Sequence, residues 1–246
     1  MARNTNDLQR LLVDVRACRI CRDTPTAKHP LPQEPRPILR VSHHARLAVF
    51  SQAPGLRAHT ADLPFMDPSG VRLRAWMQLS EADSYDEDFL AIAPMGFCFP
   101  GYDAKGGDLP PRRECAPVWR ERVLTHLPNV KLALLVGGYS QKWHLRSLAG
   151  RNLTETVRDW KRIISNTDER GLTYLPMPHP SWRNNHWLKK NPWFEGELLP
   201  ELRNRIAHLL RDHKARRTAQ TLKPKRQLRG DPTYAAARAS PAVVSP

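Results

Sequence analysis

The feature that most constrains the fold is an alternation of short apolar runs with longer helical patterns along the chain. Four such runs are present: Leu47–Phe50, Phe89–Ala93, Lys131–Val136 and Leu172–Met177. Uninterrupted apolar runs of this length are typical of strands that are buried on both faces. Strands that alternate with helices form parallel sheets, because each helix carries the chain back across the sheet. The pattern therefore predicts an α/β fold, a three-layer α/β/α domain with a central, mostly parallel, four-stranded sheet.

Helical spacing of apolar residues predicts the layers that cover this sheet. Helices are expected at Asn6–Val15, after Ser69, and at Arg112–Leu127, Ser140–Leu148, Leu153–Ile164 and Glu195–Arg211. Pro200 leaves the start of the last helix open, since proline is tolerated only in the first turn of a helix. From Lys214 onward the chain is basic and rich in Ala, Pro and Ser, which is typical of disordered segments. We therefore expect one domain over residues 1–213 and a basic disordered tail over residues 214–246.

The formal net charge of +15 favours a polyanionic partner. Residues 214–246 hold eight Lys and Arg against one Asp, so a charge of about +8 remains for the rest of the chain. A basic surface that serves only solubility is the alternative. No run of about 18 apolar residues occurs, so the sequence predicts no membrane helix. The charged amino-terminal helix is unlike a secretory signal, and we expect a cytoplasmic protein.

Two loops follow predicted strands and carry polar or turn-forming residues. Ser51–Gly55 (SQAPG) leaves the first strand, and His179–Trp182 (HPSW) leaves the last. Ligands of parallel sheets bind outside the carboxyl ends of the strands, so we expect the two loops to face each other across one pocket. A Pro-Gly turn can aim backbone N–H groups at a carbonyl or an anion. Taken singly, each loop also fits a structural turn.

Four cysteines form a second constellation: Cys18, Cys21, Cys98 and Cys115. The first two make a C-x-x-C turn that can hold a metal through two thiolates. Four thiolates suit tetrahedral zinc or a [4Fe–4S] cluster, since soft sulfur ligands select both. Four unrelated buried cysteines are the third alternative, whereas a cytoplasmic setting disfavours disulfides.

Six motifs occur in an order that resembles the uracil-DNA glycosylase superfamily. They are Cys18/Cys21, SQAPG, Pro64-Phe65, Ser69-Gly70, the Cys98 and Cys115 pair around PGYDAKGGDLPPRRE, and HPSW. The resemblance covers roughly residues 10–210 and is strongest to the iron–sulfur (family 4-like) branch and its bacterial relatives. It implies a DNA glycosylase that removes uracil or another deaminated base after flipping it out of the helix. It also favours a structural [4Fe–4S] cluster on the four cysteines, with zinc as the lesser alternative.

The resemblance assigns roles to residues of both loops. Phe65 would stack on the flipped base, and Ser51, Ala53 and Ser181 would contact it. His179 would stabilise the carbonyl oxygen that becomes negative as the glycosidic bond breaks. Gln52 occupies a position where the iron–sulfur branch carries an acid, and it would hydrogen-bond the base or place water.

The remaining candidates concern DNA contact and the missing acid. Pro180, Trp182 and Arg183 would wedge into DNA and touch phosphate. Asp62 and Asp67 are alternative carboxylates for water or for the sugar cation. The tryptophans at 187 and 193 either stack on DNA or anchor the last helix. The segment Ala93–Phe97 carries no amide side chain, where the branch tends to place an asparagine that reads uracil.

Two other functions stay open on the sequence. One is a non-catalytic DNA-binding member of the same fold, and the other is a redox- or metal-responsive interaction module. For the glycosylase we expect a monomer whose partner is damaged DNA, single- or double-stranded, and no membrane.

Overall fold

The computed structural model describes residues 5–27 and 29–221. Its sheet has four strands: β1 (Leu47–Phe50), β2 (Leu90–Ile92), β3 (Leu132–Val136) and β4 (Thr173–Met177). All strand pairs are parallel, and the order across the sheet is β2-β1-β3-β4. Val49 pairs with Ile92 on one side and with Leu134 on the other. The predicted four-stranded α/β sheet is confirmed, and it is parallel throughout.

The α-helices connect and cover these strands. They are α1 (Thr5–Arg16), α2 (Ile20–Asp23), α3 (Leu56–Ala61), α4 (Pro68–Met77), α5 (Glu81–Ser84), α6 (Cys115–Leu124), α7 (Gly138–Leu145), α8 (Leu153–Arg158), α9 (Trp160–Ile164), α10 (Asn185–Lys190) and α11 (Leu199–Thr221). Shorter 3-10 turns occur at Arg146–Leu148 and Trp182–Asn184. Within residues 5–27 and 29–221, no helix combines the length and the apolar character needed to cross a membrane.

Two core clusters, one on each face of the sheet, create the three layers. Phe50 packs with α1 and α6 through Val15 and Val123, and all three side chains are fully buried. Val49 faces the opposite way and joins Leu202 of α11 in the second cluster. Burial of one such side chain contributes about 1.5–3 kcal/mol, so the sheet is held firmly from both sides. The loops at its carboxyl edge therefore have a rigid support.

Prolines explain why two helices begin later than their apolar patterns predict. Helix α6 starts at Cys115, because Pro117 lacks an N–H group and fits only within the first turn. Before α11, the chain makes a π turn over Phe194–Leu198, and Pro200 then lies in the first turn of α11. The helix predicted over Leu153–Ile164 is broken at Asp159, where ψ is 18°.

Helix α11 runs past the predicted domain boundary at residue 213. His213 is 6% exposed, and its Nε2 lies 3.1 Å from Oδ2 of Asp86. Arg217 donates to the same carboxylate over 2.7 Å, and Lys214 pairs with Asp83 over 2.9 Å. These contacts hold α11 against Asp83 and Asp86 beyond residue 213, and the domain boundary stays a prediction. Residues 222–246 lie outside the described residues, and the disordered tail stays a prediction there.

Candidate functional site

A pocket of about 430 Å³ opens at the carboxyl edge of the sheet, between the loops that follow β1 and β4. Eight of the residues predicted for the site line it: Ser51, Ala53, Phe65, His179, Pro180, Ser181, Trp182 and Arg183. The structure thus places the two loops as walls of one pocket.

Gln52 does not line this pocket, contrary to its predicted catalytic place there. Ser51 and Ala53 face the pocket, whereas the side chain of Gln52 packs over Gly137 at the end of β3. A Cβ atom built on Gly137 would lie 3.3 Å from both Cγ and Nε2 of Gln52. Successive residues of an extended segment point to opposite sides, which explains the alternation. Gln52 instead lines a separate groove.

Phe65 forms part of the pocket wall with a strained backbone. Its φ angle is +57°, a left-handed conformation that costs an aromatic residue about 1–3 kcal/mol. Gly70 packs directly against it, and a Cβ atom there would overlap the Phe65 carbonyl group. The hydroxyl of Tyr85 donates to the carbonyl of Pro64 over 3.1 Å, which fixes the preceding residue. The helix start after Phe65 therefore holds the backbone of this residue in an uncommon conformation.

His179 follows β4 and is largely enclosed. Burial lowers the pKa of His179, and the nearby carboxylate of Asp67 opposes this effect. The side chain of Asn184 donates to the carbonyl of His179 over 2.7 Å and fixes its backbone. The imidazole is therefore neutral at pH 7 and carries one N–H donor.

Helix α4 ties the two walls together. Arg72 donates to the carbonyl of Ser181 over 3.2 Å and to Oδ1 of Asn185 over 2.8 Å. The hydroxyl of Ser181 accepts from the N–H of Arg183 over 3.1 Å and caps the following turn. Ser181 thus shapes the loop as well as lining the pocket, and Arg72 fixes its position relative to Phe65.

Two carboxylates line the pocket. Asp67 caps α4 by accepting from the N–H of Gly70 over 2.8 Å. Asp108 stands at the rim, and burial raises its pKa, against the effect of Arg183. Its carboxylate accepts no hydrogen bond from the described part of the chain. Asp62 ends α3 in a left-handed conformation and is not among the lining residues.

Asp108 reaches the pocket on the loop between Cys98 and Cys115. This loop doubles back through a bridge between Tyr102 and Asp108. A Cβ atom built on Gly55 would lie 3.6 Å from Oδ2 of Asp108, so this carboxylate sits beside the loop after β1. Arg183 approaches the same loop at the carbonyl of Gly106, 3.5 Å away, and its guanidinium lies 5.8 Å from the ring of Trp182.

The four cysteines line a second, smaller cavity. All four are free thiols, and Cys115 is buried. The indole N–H of Trp119 donates to Sγ of Cys18 over 3.3 Å, and the N–H of Phe97 donates to Sγ of Cys115 over 3.4 Å. Burial raises the pKa of Cys98 to about 12. Among the described residues, no three His, Cys, Asp or Glu side chains converge on a point that could hold one metal ion.

A buried ion pair closes one side of this cavity. Arg112 and Glu114 lie 3.2 Å apart, and Glu114 accepts from the N–H groups of Thr26 and Ala27 over 2.9 and 3.2 Å. Arg112 also donates to the carbonyl of Cys21 over 3.4 Å. The C-x-x-C turn is therefore bound to the start of α6 even without a metal.

Trp187 and Trp193 are half-buried and pack against the second core cluster, as the structural alternative predicts. Their rings pack edge to face with centroids 5.8 Å apart, and Trp187 also contacts Phe194. The indole N–H of Trp187 donates to Thr154 over 2.8 Å. Of the three tryptophans at 182, 187 and 193, Trp182 alone is strongly exposed, at 72%.

Sequence reasoning missed Asp108 and Arg72 as parts of the site. Asp108 lies in PGYDAKGGDLPPRRE, a segment used only as the spacer between two cysteines. Its two adjacent glycines and its acidic residues were the available signal, since such turns can bring a carboxylate to a rim. Arg72 acts by donating to the backbone of Ser181. A contact between distant segments of this kind leaves no pattern in the sequence around Arg72.

Comparison with known families agrees with this geometry. Residues 39–203 match the model of the Uracil DNA glycosylase superfamily, a span that contains all four strands and both loops. Cys18 and Cys21 precede it. Because the match covers about two thirds of the chain, the assignment rests on the whole sheet rather than on one motif. The chain belongs to the uracil DNA glycosylase superfamily.

Proposed function

We propose that this protein excises uracil or another deaminated base from DNA by hydrolysing the N-glycosidic bond. One observation carries the proposal: a single pocket combines an aromatic wall, a neutral histidine and an available carboxylate. Members of the superfamily characteristically break such bonds, and the three groups meet the needs of that reaction. The bases excised and the role of each residue are part of the proposal.

The target base enters the pocket by leaving the helix. Extrusion costs a few kcal/mol, and least at mismatched or unpaired sites, so deaminated bases are the natural targets. Phe65 stacks on the base. The N–H of Ala53, which donates no hydrogen bond within the described residues, binds a ring carbonyl, and Ser51 and Ser181 line the approach.

His179 stabilises the charge that develops on the leaving base. As the C1′–N bond breaks, its electron pair moves into the base and places negative charge on a carbonyl oxygen. A neutral imidazole donates one hydrogen bond to that oxygen. The enclosed position of His179 strengthens this interaction, because a low local dielectric screens it weakly.

Asp108 supplies the carboxylate that the loop after β1 lacks. Its oxygen sits beside Gly55, at the end of that loop, although it comes from the distant cysteine-flanked segment. Its carboxylate accepts the proton of the water that adds to C1′. Alternatively, it stabilises the positively charged sugar before water adds. Asp67 is the secondary candidate, because its carboxylate already caps α4.

Contact with the DNA around the flipped base is made by Pro180, Trp182 and Arg183. Trp182 is exposed beside the pocket and can fill the gap that the flipped base leaves. Arg183 is placed to contact phosphate while it also approaches the loop that carries Asp108. We further propose that the protein acts as a monomer in the cytoplasm.

We propose that the four cysteines hold a [4Fe–4S] cluster, which would assign the chain to the iron–sulfur branch. The donor set suits a cluster better than a single ion, because four thiols line one largely apolar cavity, no three of them converge on one point among the described residues, and two of the sulfurs accept N–H hydrogen bonds. Hydrogen bonds of this kind tune the sulfurs of such clusters. When bound, the cluster would supply a covalent staple between α2 with the turn before it, α6 and the segment at Cys98. Zinc is the lesser alternative, and metal analysis of anaerobically purified protein separates the two.

The test is strand cleavage after alkali, using oligonucleotides that contain uracil, hypoxanthine or xanthine. Full-length metal-loaded protein is expected to leave an abasic product on at least one of them, and His179→Asn prepared identically is expected to leave far less. Folded protein that yields no abasic product on any substrate would contradict glycosylase activity. Binding to the damaged strands without product would instead support the non-catalytic alternative, which the absence of an acid at position 52 favours.

A further inference from the structure

A broad groove lies on the other side of the loop after β1, separate from the pocket. It encloses about 920 Å³ and is bordered by Gln52 and Met95 on one side and by α7 on the other. Helix α7 contributes Tyr139 and Trp143 to it. Tyr139 is 46% exposed, so part of its ring faces the groove.

The charges in this groove all have one sign. Arg112, Arg113, Lys142 and Arg146 line it, and no Asp or Glu does. Arg112 is paired with Glu114, whereas no ion pair or side-chain hydrogen bond occupies the other three cations within the described residues. Unpaired cations beside exposed aromatic faces are the combination that single-stranded nucleic acid binds, because phosphates meet the charges and bases stack on the rings. A duplex hides its base faces and can use only the charges.

The groove and the pocket share a dividing ridge. Ser51 and Ala53 face the pocket while Gln52 faces the groove. In the loop after β2, Pro94 faces the pocket and Met95 faces the groove. A strand with one nucleotide in the pocket can therefore pass over this ridge, and its neighbouring nucleotides then reach α7.

We propose that this groove binds unpaired nucleotides flanking the target in the same DNA strand, so that the protein prefers single-stranded DNA. The inference rests on the proposed function for the occupant of the pocket, but the groove can be tested without catalysis. Arg113 and Lys142 hold phosphates, and Tyr139 and Trp143 offer stacking faces.

The test measures fluorescence anisotropy of labelled, lesion-free oligothymidylate of about 12 nucleotides, a length typical of single-strand sites, with the full-length protein. The double variant Arg113→Gln/Lys142→Gln removes two groove charges. Two phosphate contacts at a salt slope of about 0.7 each predict an affinity loss of about 25-fold near 0.1 M salt. Affinity for a blunt lesion-free duplex is expected to fall as well, because a duplex can also meet these charges.

The matched control is Lys131→Gln/Arg211→Gln, which removes the same charge near the amino ends of β3 and β4. It is expected to weaken single-strand binding less than about threefold, since only long-range attraction is lost. Trp143→Leu should weaken binding at least about fivefold relative to Trp143→Phe, which keeps a stacking face. If Trp143→Leu does not fold, the two charge variants decide the question.

Equal loss in the groove and control variants would overturn the proposal. Equal loss for duplex and single strand in Trp143→Leu would overturn the preference for unpaired DNA, because only unpaired bases stack on that ring. Displacement by polyglutamate as effective as by unlabelled oligothymidylate would overturn the nucleic-acid assignment. Because the probe contains no target base, failure of glycosylase activity leaves this result intact, and the converse also holds.

Discussion

The pocket at the sheet edge and the cysteine cavity are built on opposite principles. The pocket is open, contains two carboxylates and a histidine, and holds Phe65 in a left-handed conformation. The cysteine cavity is small and apolar, and an ion pair and N–H bonds to sulfur surround it, although Arg112 Nε and Glu114 Oε2 are buried without a hydrogen-bond partner among the described residues. Backbone strain of the kind seen at Phe65 is expected where a ligand binds, whereas hydrogen bonds and ion pairs between neighbouring segments stabilise the fold.

One segment joins the two regions. It leaves the cysteine cavity at Cys98, brings Asp108 to the rim of the pocket, and returns to the cavity at Cys115. The comparison therefore suggests that the cysteines act on the pocket by fixing this segment, without contacting the substrate. Changes in the pocket should alter rate and leave stability intact, and changes in the cavity should do the reverse.

The largest effect is expected for His179→Asn. The asparagine side chain is shorter than the imidazole, so its amide N–H is expected not to reach the developing oxyanion, and loss of one such donor lowers kcat by about 100- to 1000-fold. Substrate affinity should change little, because the interaction strengthens only as the bond breaks. Single-turnover kinetics on the best substrate measure the loss, and His186→Asn in the exposed start of α10 is the control. A similar loss in both variants would remove His179 from the reaction.

Asp108→Asn should lower kcat by about 100-fold, as expected for loss of a general base. Burial raises the pKa of Asp108, so its carboxylate becomes protonated at a higher pH than an ordinary aspartate. Activity should accordingly fall as the pH falls through this range, and the acid limb of the kcat/KM profile should disappear in Asp108→Asn. Arg183→Gln removes a positive charge that lowers this pKa, and it should move the limb to higher pH.

Asp62→Asn is the matched control for Asp108→Asn. Asn accepts the left-handed conformation that Asp62 adopts at the end of α3, so the fold should be unaffected. Its activity and its pH profile should match those of the unmodified protein. An acid limb that persists in Asp108→Asn would indicate that Asp67 is the titrating carboxylate.

Cys115→Ala tests the other side of the comparison. It should abolish iron loading and lower the melting temperature by about 5–10 °C, because a few kcal/mol shift a chain of this size by that amount. Activity of the folded fraction, assayed well below that temperature, should fall less than about tenfold. Val123→Ala also removes a buried side chain from α6 but should retain iron. Full activity loss in Cys115→Ala at unchanged stability would assign the cysteines to chemistry.

The sheet was predictable because each strand is an uninterrupted apolar run and because parallel order follows from the helices between them. Helix ends were less predictable, since they depend on single residues such as Pro117, and α11 extends through contacts with Asp86 on a distant segment. Local patterns cannot encode contacts of that range.

The candidate site likewise has features that the sequence predicts and features that depend on tertiary contacts. Both loops could be located from the ends of strands, and Phe65 and His179 do line one pocket. The direction of Gln52 was missed because it depends on the pleat after β1 and on the space above Gly137. Asp108 was missed because its segment reaches the pocket only through tertiary contacts.

The smallest effect on kcat is therefore expected at Gln52, the position where the sequence lacks the acid of the iron–sulfur branch. Gln52→Glu should change kcat less than about twofold, because its side chain faces the groove and an added carboxylate there is far from the water that Asp108 serves. It should instead weaken single-strand binding by about threefold, since it adds a negative charge among the groove cations. Ala53→Asp faces the pocket, and in the Asp108→Asn background it should restore part of the lost rate. Restoration by Gln52→Glu in that background, and not by Ala53→Asp, would reverse the assignment of the two faces of this loop.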